Sequence, residues 1–205
     1  MKRLHWALLL VFTSFSFIQQ GHATNDTIPE EFKPSYDYAP DFSYEELQAR
    51  YDKLDLEIDI SFNDQVKAFI NYFTVRNRDY TREMIRRREV YFPIFEKYLK
   101  EYDLPEELKY LPIIESGLNP GAVSGPKAVG LWQFMSPTAK QQGLQIDWYI
   151  DERMDPEKST EAACQYIKWL YGILGDWKMT LAAYNSGIGN VQRAMRRSNK
   201  NDFWD

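Results

Sequence analysis

The stretch Leu104-Pro105-Glu106-Glu107-Leu108-Lys109-Tyr110-Leu111-Pro112-Ile113-Ile114-Glu115-Ser116-Gly117-Leu118-Asn119-Pro120 decides how this chain is read. Pro105 suits the first turn of a helix, where its missing amide hydrogen costs no bond, and Glu106 and Glu107 complement the positive end of the helix dipole. Leu108, Leu111, Ile113 and Ile114 predict a surface turned mainly to the core, and Gly117 predicts the stop. Glu115 therefore falls in the last turn of an apolar helix, directly before Ser116-Gly117. There the negative end of the dipole and desolvation by apolar neighbours both disfavour its charged form. A carboxyl held protonated in this way is a candidate general acid, and the competing reading is a solvated glutamate ending an ordinary helix.

Helical periodicity extends to both sides of this segment. Upstream, Val66, Phe69, Ile70 and Phe73 keep the i, i+3, i+4, i+7 spacing of an amphipathic helix. A second helix uses Met84, Ile85, Tyr91, Phe92, Phe95, Tyr98 and Leu99, with Pro93 as an expected kink and Arg86-Arg87-Arg88 as an expected solvated face. The other reading of the arginine run is a contact with an anionic envelope polymer. Downstream, residues 117–131 carry turn residues and no helical period, and the 120–134 loop has room for a small β-hairpin. Ser136-Pro137 opens a short helix closed by Gly143, and Asp155-Pro156 opens a longer one running past Trp169 towards Gly175. Asp176, directly before Trp177, is expected to act as a cap, and two further short helices are expected around Thr180–Asn185 and Asn190–Arg197. The fold class is mainly α.

The beginning of the chain reads differently. Residues 1–23 have a basic start at Lys2-Arg3, an apolar run from Leu4 to Ile18 and a small-x-small site at Gly21-His22-Ala23, the pattern of a secretory signal peptide. The run is shorter than the ~20 apolar residues a membrane-spanning helix needs. No cysteine stands nearby to take a lipid. Residues 24–43, with Pro29, Pro34 and Pro40, are expected to form an extended arm. Residues 44–100 then read as a helical extension and 101–205 as the catalytic domain.

Across all 205 residues the composition is that of a globular protein, with 16% aromatic residues and 27% charged. Both histidines, His5 and His22, lie in the expected leader. The mature chain would have none, which excludes Ser-His-Asp and Cys-His catalysis and histidine-ligated zinc. Acid–base chemistry is left to carboxylates, Tyr, Lys or the single Cys164, which is read as a small buried core residue. Removing Lys2 and Arg3 from 25 basic residues leaves 23 against 30 acidic ones, an unfavourable balance for binding nucleic acid. No metal-spacing cluster or phosphate loop is present, so no cofactor is expected.

Three motifs, Glu115-Ser116-Gly117-Leu118-Asn119-Pro120, Gly130-Leu131-Trp132-Gln133-Phe134-Met135 and Ala182-Ala183-Tyr184-Asn185-Ser186-Gly187, resemble in order and spacing the lytic transglycosylases with the lysozyme-like fold. The run preceding Glu115 is most similar to the membrane-bound lytic murein transglycosylase D branch, and the resemblance covers roughly residues 60–200. It implies cleavage of the β-1,4 bond between N-acetylmuramic acid and N-acetylglucosamine in peptidoglycan glycan strands, with 1,6-anhydromuramyl ends and peripheral association with the envelope. By the same resemblance Glu115 is the sole catalytic acid/base, and Ser124 supplies a hydroxyl that hydrogen-bonds its carboxylate. Gln133 and Met135 line sugar subsites, Tyr184 is a phenol near the glutamate, and Asn185 stands beside it. Trp132 replaces a Met often found before Gln133, which bears on the sugar-stacking surface; the other reading of Trp132, Phe134 and Met135 is core packing. Such proteins usually continue with another helix carrying a tyrosine, and this branch often adds LysM modules. The resemblance thus implies a catalytic domain cut short after Asn201–Asp205.

Two rivals remain open on the sequence. A lysozyme-type hydrolase needs a second carboxylate, for which Asp147, Asp151, Glu152 and Asp155 are candidates, although caps and turns account for them as well. A non-catalytic glycan-binding protein would keep the aromatic groove and leave Glu115 idle.

Overall fold

A computed structural model describes residues 42–58 and 61–198. The expected leader, nearly all of the expected arm and the terminal Asn201–Asp205 lie outside the described residues. Eight α-helices follow one another among those described: α1 Tyr44–Tyr51, α2 Asp64–Asn71, α3 Arg78–Glu101, α4 Leu111–Ser116, α5 Ser136–Gln141, α6 Pro156–Leu174, α7 Trp177–Ser186 and α8 Ile188–Ser198.

Caps explain most of the boundaries. Ser43 and Glu46 form a reciprocal capping box at α1. Asn63, Asp155 and Asp176 accept from the backbone amides of Val66, Lys158 and Met179 and so start α2, α6 and α7. Gly117 and Gly175 end α4 and α6 in the left-handed conformation. Between α2 and α3 the chain makes one π turn, Tyr72–Arg76. α3 continues as one helix through Pro93, so the expected kink does not divide it.

The deciding stretch forms two pieces. Glu106–Tyr110 is a 3₁₀ turn, and α4 begins only at Leu111. Pro112, which has no amide hydrogen to give the carbonyl of Leu108, falls in the first turn of α4, where that loss costs no bond. The hairpin reading of the 120–134 loop is reduced to isolated antiparallel bridges, Val123 with Val129 and Val129 with Phe134. The last two helices begin earlier than expected, since Asp176 and Gly187 set their starts.

α6 is the central helix and packs on α3 and α7, with α8 against α7. Phe95 and Leu99 of α3, Leu118, Leu131 and Trp132 of the following loop, and Ala163, Cys164 and Ile167 of α6 share one fully buried cluster. Each large side chain in it contributes roughly 1.5–3 kcal/mol by leaving water. Ile58 joins this cluster from the segment before α2, and the Glu57 amide is bonded to the Glu107 carboxylate. Packing thus runs without a gap from Ile58 through α3 to Leu108 and the loop beyond. The loop between α4 and α5 lies over this core and, with the end of α4, carries the candidate site.

Candidate active site

Glu115 is the fifth of six residues in α4. The residues on either side of it are tied down. Ser116 is buried, and its hydroxyl bonds the carbonyls of Pro112 at 3.0 Å and Leu131 at 2.9 Å. Gly117 is closed off by α3: a Cβ placed there would stand 2.3 Å from the Tyr80 hydroxyl. With φ at +61°, the position demands glycine twice over. Glu115 itself takes no hydrogen bond among the described residues, and burial alone pushes its carboxyl up to about 7. A carboxyl with that value holds its proton near neutral pH and can give it up to a basic transition state.

The loop after α4 brings the second motif under this helix. Trp132 is fully buried, donates to the Thr160 hydroxyl at 3.0 Å and meets Phe95 edge-on. It is core, and so cannot offer sugar a stacking face; Phe134 is core as well. Met135 is 43% exposed. Gln133 adopts a positive φ of 49° and spends its amide hydrogens on the carbonyls of Gly130 and Ala122, at 2.9 and 3.3 Å. Its side-chain oxygen is left without a partner among the described residues.

Tyr184 on α7 closes the inner side. Its hydroxyl donates to the Trp132 carbonyl at 2.7 Å. Desolvation raises its phenol well above the usual range, and the nearby Glu115 charge adds to that rise. The structure thus brings Glu115, Trp132 and Tyr184 into one neighbourhood, with the tyrosine proton committed to a backbone carbonyl. Asn185, next along α7, is exposed. Ser124 accepts from the Ala128 amide at 2.9 Å, inside its own turn. The hydrogen bond to Glu115 expected of it is absent among the described residues.

The four carboxylates considered as partners for Glu115 are each engaged elsewhere. Asp147 takes the amides of Tyr149 and Ile150 in a tight turn. Asp151 pairs with Arg153 at 2.7 Å. Glu152 bonds Lys158 and the Gln145 amide. Asp155 caps α6. Hydrogen bonds hold Asp147, Asp151 and Glu152 below the ordinary carboxylate range, so they remain ionised. No neighbouring carboxylate contributes to the rise at Glu115.

Sequence reasoning missed Arg153. It is a buried cation that holds Asp151 and donates to the carbonyls of Lys127 and Phe134, both at 3.1 Å. It therefore pins the Gln133 loop to the segment ahead of α6. A Cβ at Gly130 would collide with the Arg153 carbonyl at 1.8 Å, so the two backbones touch. Only the Asp-x-Arg spacing hints at this pair, and nothing in the sequence points to its distant carbonyls. Cys164 is fully buried in α6, and burial pushes its thiol up to about 12, so it has no part in the chemistry. Among the described residues no acidic, histidine or cysteine cluster stands ready for a metal, and no helix is long and apolar enough to cross a membrane.

Residues 92–205 match the family model described as the transglycosylase SLT domain. The chain is 36% identical over 155 residues to the membrane-bound lytic murein transglycosylase D of Escherichia coli K12, covering 73% of this chain and 34% of that protein. It is 30% identical over 175 residues to the membrane-bound lytic murein transglycosylase F of Pasteurella multocida, covering 78% of this chain and 34% of that one. A Vibrio cholerae transglycosylase F is 31% identical over 132 residues. The chain thus spans about a third of the length of the first two relatives.

Proposed function

The chain belongs to the transglycosylase SLT family, and on that premise we propose that it cleaves the β-1,4 bond between N-acetylmuramic acid and N-acetylglucosamine in peptidoglycan by lytic transglycosylation. The observation that carries the reading is Glu115: one carboxyl, raised to about 7 by burial alone, with every other candidate carboxylate already spent.

One such group suffices for this reaction. Protonated Glu115 gives its proton to the glycosidic oxygen as the bond to C1 of muramic acid breaks, and the N-acetylglucosamine side leaves with a free hydroxyl. The N-acetyl group of muramic acid stabilises the positive charge developing at C1. The Glu115 carboxylate then removes the proton of the C6 hydroxyl as its oxygen bonds C1, closing a 1,6-anhydro ring. Glu115 ends protonated again, and no water is consumed. Because the attacking hydroxyl belongs to the sugar already in place, no second carboxylate is needed to hold a water.

Within this reading Gln133 and Met135 line the sugar subsites, Asn185 flanks them at the exposed end of the motif, and Tyr184 sets the floor beneath Glu115. Ser124 is assigned to the same cleft, its hydroxyl accepting from the Ala128 amide. Residues 1–23 direct export, residues 44–100 form the helical extension, and the domain from 101 onward acts in the periplasm or cell envelope.

The test is digestion of purified sacculi by the parent chain and by Glu115→Gln, with mass analysis of the products. Anhydromuramyl ends from the parent and a loss of about 10³-fold or more in the variant are expected for removal of an essential acid/base. Reducing muramic ends would replace this reading with a hydrolase, and equal digestion by both would remove Glu115 from the chemistry.

A further inference from the structure

The run Arg86-Arg87-Arg88 is uniform in sequence, and the structure divides it. Arg86 and Arg88 have side chains 72% and 52% exposed and pair only with glutamates of α3 itself. Successive residues of a helix are turned by about 100°, so the middle arginine faces another way. Its Nε bonds Glu83 at 3.0 Å, and its Nη1 donates to the carbonyl of Gly117 at 3.1 Å, across 30 residues of chain. Gly117 is the left-handed cap of α4, two residues past Glu115. Tyr80 packs on that same cap, two helical turns before Arg87 and on the same face of α3.

α4 has particular need of such support. It has only six residues. A helix this short does not hold its own end in water, and the last carbonyls of any helix have no partner within it. From the inner side Ser116 is tied to the Leu131 carbonyl. From the outer side the cap carbonyl receives a charge-assisted bond, among the stronger kinds of hydrogen bond in proteins.

We propose that Arg87 is a positioning residue for Glu115: its guanidinium, oriented by Glu83, fixes the Gly117 cap and thereby the place of the carboxyl two residues back. The inference rests on the reading of Glu115 as the acid/base group. It also places part of the catalytic machinery before residue 92, ahead of the family-matched segment.

The experiment compares Arg87→Met, Arg87→Lys and Arg86→Gln with the parent, all in the full chain. Initial rates of sacculus digestion are fitted for kcat and KM, thermal midpoints are recorded, and carbon-13 spectra are taken of Glu115 Cδ and the Gly117 carbonyl. Arg87→Met is expected to lower kcat about tenfold, the scale of a small displacement of a reacting group, with KM within about twofold. Arg87→Lys should recover part of that loss, and Arg86→Gln should match the parent. In Arg87→Met the Gly117 carbonyl resonance should move upfield as its bond is lost, and Glu115 Cδ should move with it. Parent-like kcat in Arg87→Met overturns the inference, as does a loss lying entirely in KM or recovered at temperatures well below the lowered midpoint. A shift at Gly117 with none at Glu115 also overturns it. If the parent itself makes no anhydromuramyl ends, the proposed function fails, while the two resonances still decide whether Arg87 positions Glu115.

Discussion

At the scale of single residues, the raised carboxyl of Glu115 sets a pH dependence on stability. Its carboxyl is moved from an ordinary 4.5 to about 7 by burial. Between those values the unfolded chain is ionised there and the folded chain is protonated, so the folded state binds more protons and loses stability as pH rises. The full cost, on the order of 3 kcal/mol, is present above pH 7 and absent below the unfolded value. Glu115→Gln does not titrate. Its stability advantage over the parent, measured by urea denaturation, should therefore grow between about pH 4.5 and 7 and level off beyond. The same ionisation removes the proposed general acid, so sacculus digestion by the parent should decline through about pH 7 on the alkaline side. A stability difference that stays flat with pH would mean that Glu115 is an ordinary solvated carboxylate. The direction of this shift was legible from the place of Glu115 at the end of an apolar helix before Ser116-Gly117, although Ile114, expected to face the core, is 38% exposed and only half-buried Ile113 turns inward. What the residues alone left open was whether a second carboxylate stood opposite, because that depends on where Asp147, Asp151, Glu152 and Asp155 spend their oxygens.

At the scale of elements, the helices were legible where a cap and a period coincide. Asp155-Pro156 with Gly175 gave α6 both ends, and Asp176 gave the start of α7. The deciding stretch was harder, since Pro105 and Pro112 each suit a helix start and the periodicity does not choose between them. The loop from 118 to 135 was legible only as turns. Its shape comes from contacts with segments remote in sequence: Arg153 on two of its carbonyls, Thr160 on Trp132, and Tyr184 on the Trp132 carbonyl. Hence Trp132, beside Gln133 in the motif, turned out to be core. Arg153 is the residue on which these contacts can be tested. Arg153→Met keeps most of the volume but leaves Asp151 as a half-buried charge and the Lys127 carbonyl without its donor, while the Phe134 carbonyl keeps the Val129 amide. Breaking a buried pair from one side costs about 3–5 kcal/mol. The urea midpoint should fall accordingly, and proteolysis under native conditions should begin between residues 120 and 135. Replacing Asp151 and Arg153 together should cost less than the sum of the two single changes. Strict additivity would show that the pair does not act as a unit.

At the scale of the molecule, the family-matched segment and the physical unit have different limits. The match begins at residue 92, in the middle of α3. Cutting there would divide that helix and remove Met84 from its buried face. It would also remove Ile58 from the main core, and Tyr80 and Arg87 from the cap of α4. Sequence periodicity showed α3 as a long amphipathic helix but could not show that its second half lies in the main hydrophobic core and its first half against the Glu115 turn. Those contacts join residues 30 or more positions apart, and side-chain spacing along one helix carries no record of them. The expected consequence is that a chain of residues 92–205 lacks the cooperative unfolding transition that one of residues 42–205 shows. Each apolar side chain withdrawn from the core is worth roughly 1.5–3 kcal/mol, against a total domain stability of about 5–15 kcal/mol. Losing Ile58 and Met84 along with half of a central helix therefore consumes most of that margin. Calorimetry of the two fragments decides the matter. A sharp transition in the shorter one, at the temperature of the longer, would show that the helices before residue 92 rest on the domain without belonging to it.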